Sequence, residues 1–233
     1  MKKLFPSYMK ALPYLSALLF TLNAHATGIS VLGGLNYGGY PAYTTQPSYS
    51  LSNTSGSLQF SYGIMVDTPI DSDWGLDLGL LYLTLSYGGT LAGPAPGGAT
   101  TSTPYTSTNS YLVVPILATY RISILKTGLG PYIASGIGNV DFKGTTTVTA
   151  GGSTVATQNS STNLGYGDTH LNSFDFGLAA EVGGDYNIVP NWDLVGTAFF
   201  TYSLTNAAMS NNTAYSSLKM MNIALFLGAR YSL

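Results

Sequence analysis

The sequence predicts an all-β protein: an eight-stranded antiparallel transmembrane β-barrel in up-and-down (meander) order. Three observations predict it. The first is the final stretch, Leu218–Leu233. Met221, Ile223, Leu225, Leu227, Ala229, Tyr231 and Leu233 alternate with Met220, Asn222, Ala224, Phe226, Gly228, Arg230 and Ser232. Successive strand side chains point to opposite faces, so one face is apolar to the last residue and the other is small, mixed and carries an arginine. Lipid outside and a narrow, partly polar interior demand that pattern. The second is the opposite end of the chain. Lys2, Lys3 and Lys10 surround the start of an apolar run, Ala11–Leu22, and Ala24-His25-Ala26 follows as a small-x-small cleavage site. The run is shorter than the about 20 residues a spanning helix needs. Residues 1–26 are therefore expected to be a signal peptide and 27–233 the barrel domain. Mass spectrometry of the membrane-extracted protein should find Thr27 as its first residue; an intact leader would overturn the export argument. The third is composition. Charged residues make up 8% of the chain, against about 25% in ordinary soluble domains, and 18 tyrosines exclude a disordered polar chain.

The elements follow in order. Gly28–Tyr37 places Ile29, Val31, Gly33, Leu35 and Tyr37 on one face. Ser57–Asp67 does the same with Leu58, Phe60, Tyr62, Ile64 and Val66. Trp74–Tyr87 is a third strand, and Ser110–Arg121 a fourth, with Leu112, Val114, Ile116, Ala118 and Tyr120 in phase. Gly128–Phe142 is a fifth; its faces are ambiguous because glycines and alanines share the parity of Tyr132. His170–Tyr186 alternates most clearly, with Phe174, Phe176, Leu178, Ala180 and Val182 opposite Asp175, Glu181 and Asp185. Trp192–Leu204 and Leu218–Leu233 complete the eight.

The connections alternate in length. Thr68–Asp73, Ile122–Thr127 and Asn187–Asn191 are short, with turn residues such as Pro69, Asp71 and Pro190. Gly38–Gly56, Gly88–Asn109, Gly144–Thr169 and Thr205–Ser217 are long, as expected of the extracellular side of such barrels. Closure follows from physics, since a sheet edge in hydrocarbon leaves backbone groups unpaired. Trp74, Trp192, Tyr120, Tyr186 and Tyr231 stand beside the short turns and are read as one aromatic girdle; Tyr37, Tyr87, Tyr111 and Tyr202 near the long loops are read as the other.

Three strings carry a family resemblance. Val114-Pro115-Ile116-Leu117-Ala118-Thr119-Tyr120-Arg121 resembles the fourth strand of small outer-membrane barrels of the OmpA/OmpX-like type. Gly130–Gly138 resembles their fifth and Ile223–Tyr231 their last. Such barrels usually end in phenylalanine; this chain ends in Leu233, still apolar and in phase with the lipid face. The resemblance implies the outer membrane of a Gram-negative bacterium. It also implies insertion by the barrel assembly machinery through the C-terminal strand, and contact with outer-membrane lipids and lipopolysaccharide.

Catalytic chemistry finds little support. After the leader, His170 is the one histidine, with no lipase or protease string around it, and it reads as a solvated rim residue. Asp67, Asp71, Asp73 and Asp77 gather at one turn without the closing glutamate of a calcium loop. There are no cysteines. No catalytic residue, metal or cofactor is expected, and the chain is not expected to be an enzyme. Cleavage of the leader removes three of eight basic residues and leaves ten acidic ones, which argues against nucleic acid.

The interior is more informative. Arg121, Arg230, Asp77, Asp185, Asp193 and Glu181 take inward positions, with Asp67 nearby, and are read as a lumen charge network because a lone buried guanidinium is costly. Strand neighbourhood pairs Arg121 with Asp77 and Arg230 with Asp193. Leu117, Phe199, Phe226 and Met65 are expected to fill the rest of an eight-strand lumen. Two threonine-rich runs around Gly151-Gly152 read as a projecting hairpin. The expected function is a structural and surface-display scaffold with adhesion-like loops that meet surface ligands. The alternative is a porin-like narrow pore, or a conduit for small solutes or apolar molecules across the outer membrane.

Overall fold

The computed structural model describes residues 28–169, 171–210, 212 and 214–233. The expected signal peptide, Thr27 and His170 lie outside the described residues. The described residues form nine strands: β1 (Gly28–Thr45), β2 (Ser50–Pro69), β3 (Trp74–Pro94), β4 (Thr100–Ile122), β5 (Leu125–Ala150), β6 (Ser153–Leu164), β7 (Phe174–Val189), β8 (Trp192–Ser203) and β9 (Tyr215–Ser232). Eight of them form a closed antiparallel ring. Each pairs with the next along the chain, β5 skips to β7, and β9 returns to β1. The first and last strands meet end to end, Gly28 opposite Ser232. The ninth strand, β6, folds back on β5 through Gly151-Gly152, both at positive φ (58° and 82°). Two consecutive left-handed residues suit glycine, and the turn they make matches strand twist. The predicted hairpin is thus a spur on an eight-stranded barrel.

The alternation puts oil outside. Leu225, Leu178 and Ile116 are exposed, whereas Asn222 and Glu181 are buried inside. The ambiguous fifth segment resolves the same way: Tyr132 and Ala134 point in, Leu129 and Ile133 out. Leu117, Phe199, Phe226 and Met65 are all buried in the lumen. Among the described residues no helix is long and apolar enough to cross a membrane; the strands cross.

The long connections differ from expectation. β3, β4 and β5 run for 21, 23 and 26 residues, although about 9–11 suffice for lipid. Most of the first three predicted long loops is therefore strand, and only short turns such as residues 46–49 and 95–99 remain. The hydroxyl-rich segments lack apolar alternation because both their faces carry polar side chains, yet their backbones still pair, Thr101 with Val148 and Gly93 with Thr101. In the last predicted connection the described residues 205–210 are irregular apart from a single bridge at Ala208, and 215–217 open β9.

Two predicted girdle residues are corrected. Tyr111 is buried and Tyr87 half-buried within the lumen, because they share parity with Arg121 and Asp77. On the outer face Tyr62 and Tyr82 stack at 4.9 Å. The lower girdle forms two couples. Trp74 meets Tyr120 at 4.9 Å and Trp192 meets Tyr231 at 5.2 Å, while Tyr186 stands exposed on β7.

Between β2 and β3, the Asp71 carboxylate accepts the backbone N–H of Asp73 at 2.9 Å and of Trp74 at 2.7 Å. These bonds, Trp74's first, hold its pKa below the usual carboxylate range. Stability from this turn is therefore present above the unfolded carboxylate pKa of about 3.9 and lost as pH falls through the lower folded value. Carbon-detected NMR should place the Asp71 midpoint below that of a free aspartate; an ordinary midpoint would show that the turn bonds are not made.

Candidate functional site

The periplasmic end of the lumen holds five carboxylates and three cations. Inward parity on seven different strands brings them together: Asp67 on β2, Asp77 on β3, Arg121 on β4, Lys126 on β5, Glu181 and Asp185 on β7, Asp193 on β8 and Arg230 on β9. Arg230 is the most connected. Its Nε and Nη2 donate to the two Asp67 oxygens at 2.9 and 2.7 Å, and its Nη1 donates to Asp185 at 2.7 Å and Asp193 at 3.2 Å. Such a two-pronged fork is guanidinium geometry that lysine does not reproduce. Gly28 makes room for it, since a Cβ there would lie 2.3 Å from Arg230 Nε. The backbone is otherwise ordinary, so the requirement is space, not conformation.

The expected partnership of Arg121 with Asp77 is not formed. Arg121 Nη1 donates to both oxygens of Asp185 at 2.6 and 2.7 Å. Asp77 instead binds Lys126, whose ammonium also lies 3.2 Å from Glu181. Hairpin neighbours lie side by side on one wall, whereas the long Arg121 side chain on β4 reaches past β5 to β7, two strands around the ring. The pairing of Arg230 with Asp193 is present, along with two partners that were not expected. Lys126 was missed because Ile122–Thr127 read as a turn. Its even-number parity with Gly128, Gly130 and Tyr132 was the available signal.

Glu181 is the weakest-satisfied member. It is 2% exposed, and neither carboxylate oxygen makes a hydrogen bond of good geometry. Beside it lies a cavity of about 20 Å³, bounded by Asp77, Lys126, Glu181 and Arg230, about the size that accommodates one water.

Above this charged layer the lumen is closed by stacked side chains. Leu32, Met65, Leu81, Leu117, Phe199 and Phe226 form an apolar layer, all buried. An amide layer follows, in which Asn36 donates to Asn222 at 2.9 Å and accepts from Ser61 at 2.5 Å. Higher still, Tyr132 donates to Asp175 at 2.5 Å, with Ser203 and Thr205 also bonded to that carboxylate. Tyr40 and Tyr111 join hydroxyls at 3.1 Å across the bore.

A ring of strands with an apolar belt, paired aromatics at one rim and a plugged polar interior is the architecture of an integral outer-membrane protein. The family profile described as "Outer membrane protein beta-barrel domain" matches residues 21–209. The chain belongs to that family. This outer-membrane barrel of a Gram-negative bacterium therefore meets lipid with its exposed apolar belt.

Among solved structures the barrel is similar to Neisserial surface protein A, with 17% identity over 89% of this chain and 99% of the other and a TM-score of 0.37. It is also similar to OprG from Pseudomonas aeruginosa, with 14% identity over 90% and 97% and a TM-score of 0.40. Ail, the attachment invasion locus protein of Yersinia pestis, shows 12% identity over 88% and 99% and a TM-score of 0.33. No curated protein sequence matches it significantly.

Proposed function

We propose that this outer-membrane barrel is a non-conducting scaffold that displays its extended sheet and loops on the cell surface for adhesion-like contacts. The observation that carries the reading is the filled lumen: charge, leucine and phenylalanine, amide, and tyrosine layers follow one another along the bore. Eight strands enclose only enough space for side chains to fill. The material for display is the part of the sheet beyond lipid. Its β6 edge is exposed along most of its length, and an unpaired edge can accept a strand from another protein. The reading assigns no chemical reaction and needs no cofactor. Lipopolysaccharide is the expected outer-leaflet neighbour. β9, whose outward face is apolar through Leu233, is the segment offered to the assembly machinery.

A narrow polar path is the second reading, favoured by the water-sized cavity beside Glu181. Planar-bilayer recording separates the two. The scaffold predicts current at background for wild type and for Glu181→Gln. A stable open-channel current that changes with Glu181→Gln or Arg121→Met would move the functional site into the lumen.

Removal of residues 145–157, with Ala150 and Ser153 closing the β5–β6 turn, should leave insertion and heat-modifiable gel mobility intact, because that segment lies outside the hydrocarbon. Whole-cell attachment to protein-coated surfaces should fall. Unchanged attachment with intact folding would place display elsewhere on the barrel.

A further inference from the structure

A second cavity lies at the opposite, extracellular end, outside the charged layer and beyond the lipid belt. Its volume is about 280 Å³, close to the lower limit of small-molecule pockets, about 300 Å³. Rings and aliphatic side chains dominate its wall: Tyr87, Tyr105, Phe142 and Tyr215 with Val140 and Leu171. Tyr105 stacks on Phe142 at 5.5 Å, and Tyr40 sits edge-on to Tyr87 at 4.6 Å. Strands β2 to β6, the top of β9 and the segment before β7 all contribute.

The floor is shut. Tyr40 and Tyr111 share a hydroxyl bond, and Asn109 donates to the Tyr40 hydroxyl at 3.2 Å. The cavity thus opens outward and ends blind. One wall carries a polar handle, where the Tyr105 and Tyr215 hydroxyls meet at 3.0 Å. A hydroxyl pair has spare acceptor capacity for a guest's donor.

We propose that this pocket binds a compact, neutral, largely apolar molecule with one hydrogen-bonding oxygen, taken up from outside the cell. Three observations select that chemistry. None of the described lining side chains is charged, so a buried carboxylate or phosphate would stay unpaired and be rejected. This excludes fatty acids and the head groups of lipids. The volume is too small for a peptide segment. The wall is concave and ring-lined, so an aromatic guest gains stacking and apolar contact there. The inference stands apart from the scaffold reading, since a blind pocket neither requires nor forbids display.

The test uses mature protein in lipid nanodiscs with methyl-labelled leucine and valine, titrated with 2-naphthol. Saturable shifts are expected at Val140, Leu171 and Leu218, with none at Leu81 and Leu117 below the floor. The charged analogue 2-naphthoate should produce no saturable shift. Leu171→Trp, which fills the pocket, should weaken binding at least about tenfold; Leu164→Trp on β6 serves as a second filling variant if the first fails to insert. Shifts that do not saturate and appear equally at lipid-facing Leu225 would mean partition into lipid and overturn the proposal. Equal binding of 2-naphthoate, insensitivity to the filling variants, or shifts at Leu81 would overturn it as well.

Discussion

Leu225→Arg is expected to destabilise the barrel by about 2–4 kcal/mol, the cost of a cation facing lipid near the midplane of a β-barrel. Leu225 is 64% exposed on the outer face and pairs with Leu35 and Ala198. It lies between the lower girdle at Tyr231 and the upper outward aromatics near Tyr202, where the distance to either interface is greatest. Neither neighbour supplies a carboxylate, and an arginine there reaches head groups only by stretching along the wall. Ile122→Arg is the matched control. Ile122 is 64% exposed at the periplasmic end of β4, where the same cation costs about 0–1 kcal/mol. Reversible denaturant titration in lipid bilayers measures both. Equal losses would show that the lipid belt lies elsewhere on the strands. A stable Leu225→Arg with a failing Asn222→Leu would show a register shifted by one residue.

Arg230→Met is expected to cost about 3–5 kcal/mol, because removing one partner from a buried ion cluster strands the others. Arg230 touches Asp67, Asp185 and Asp193, and its side chain is 13% exposed. Arg121→Met should cost less. Its side chain is 33% exposed, and Asp185 would keep its bond to Arg230. The order of the two losses is the informative result. If Arg121→Met proved the more damaging, Asp185 would depend on β4 and not on β9 for neutralisation. Arg230→Lys should recover part of the loss through charge alone, since an ammonium cannot reproduce the fork to Asp67. The double variant Arg230→Met with Asp67→Asn should fare better than Arg230→Met alone, because one stranded charge is removed with its partner. Independent, additive losses would dissolve the network into separate pairs.

The fold was legible because lipid imposes its demand locally. Each crossing strand must show hydrocarbon an unbroken apolar face, and that requirement is written at every second residue of Ile29–Tyr37, Leu58–Val66 and Ile223–Leu233. The inward carboxylates were legible for the same reason, since Asp77, Glu181, Asp185 and Asp193 all carry the opposite parity. Lys126 was obscured by its nearness to the turn, although its parity with Tyr132 gave it away. Tyr87 and Tyr111 misled because aromatics near loops suggest an interface, while their parity places them in the bore. Gly151-Gly152 marked the β5–β6 hairpin, whereas the strands above the membrane were illegible in Thr100–Asn109. There inward Ser107 and Asn109 are buried but as polar as their outward neighbours, so no hydropathy alternation marks the strand, and threonine and serine serve loops and strands alike.

The sequence by itself determined the all-β class, the export-like leader pattern, the direction that all crossing strands but the fifth face, and the charges inside other than Lys126. Those properties are local: they depend on a residue's own parity and its own solvent. Only the tertiary structure decided that Arg121 bonds Asp185, that Lys126 takes Asp77, that β5 outruns the bilayer to build a spur with β6, and that tyrosines from β3, β4 and β9 meet around a blind pocket. These depend on how the strands are staggered when the ring closes. Stagger sets which side chains share a height across the lumen, and no single strand's pattern contains it.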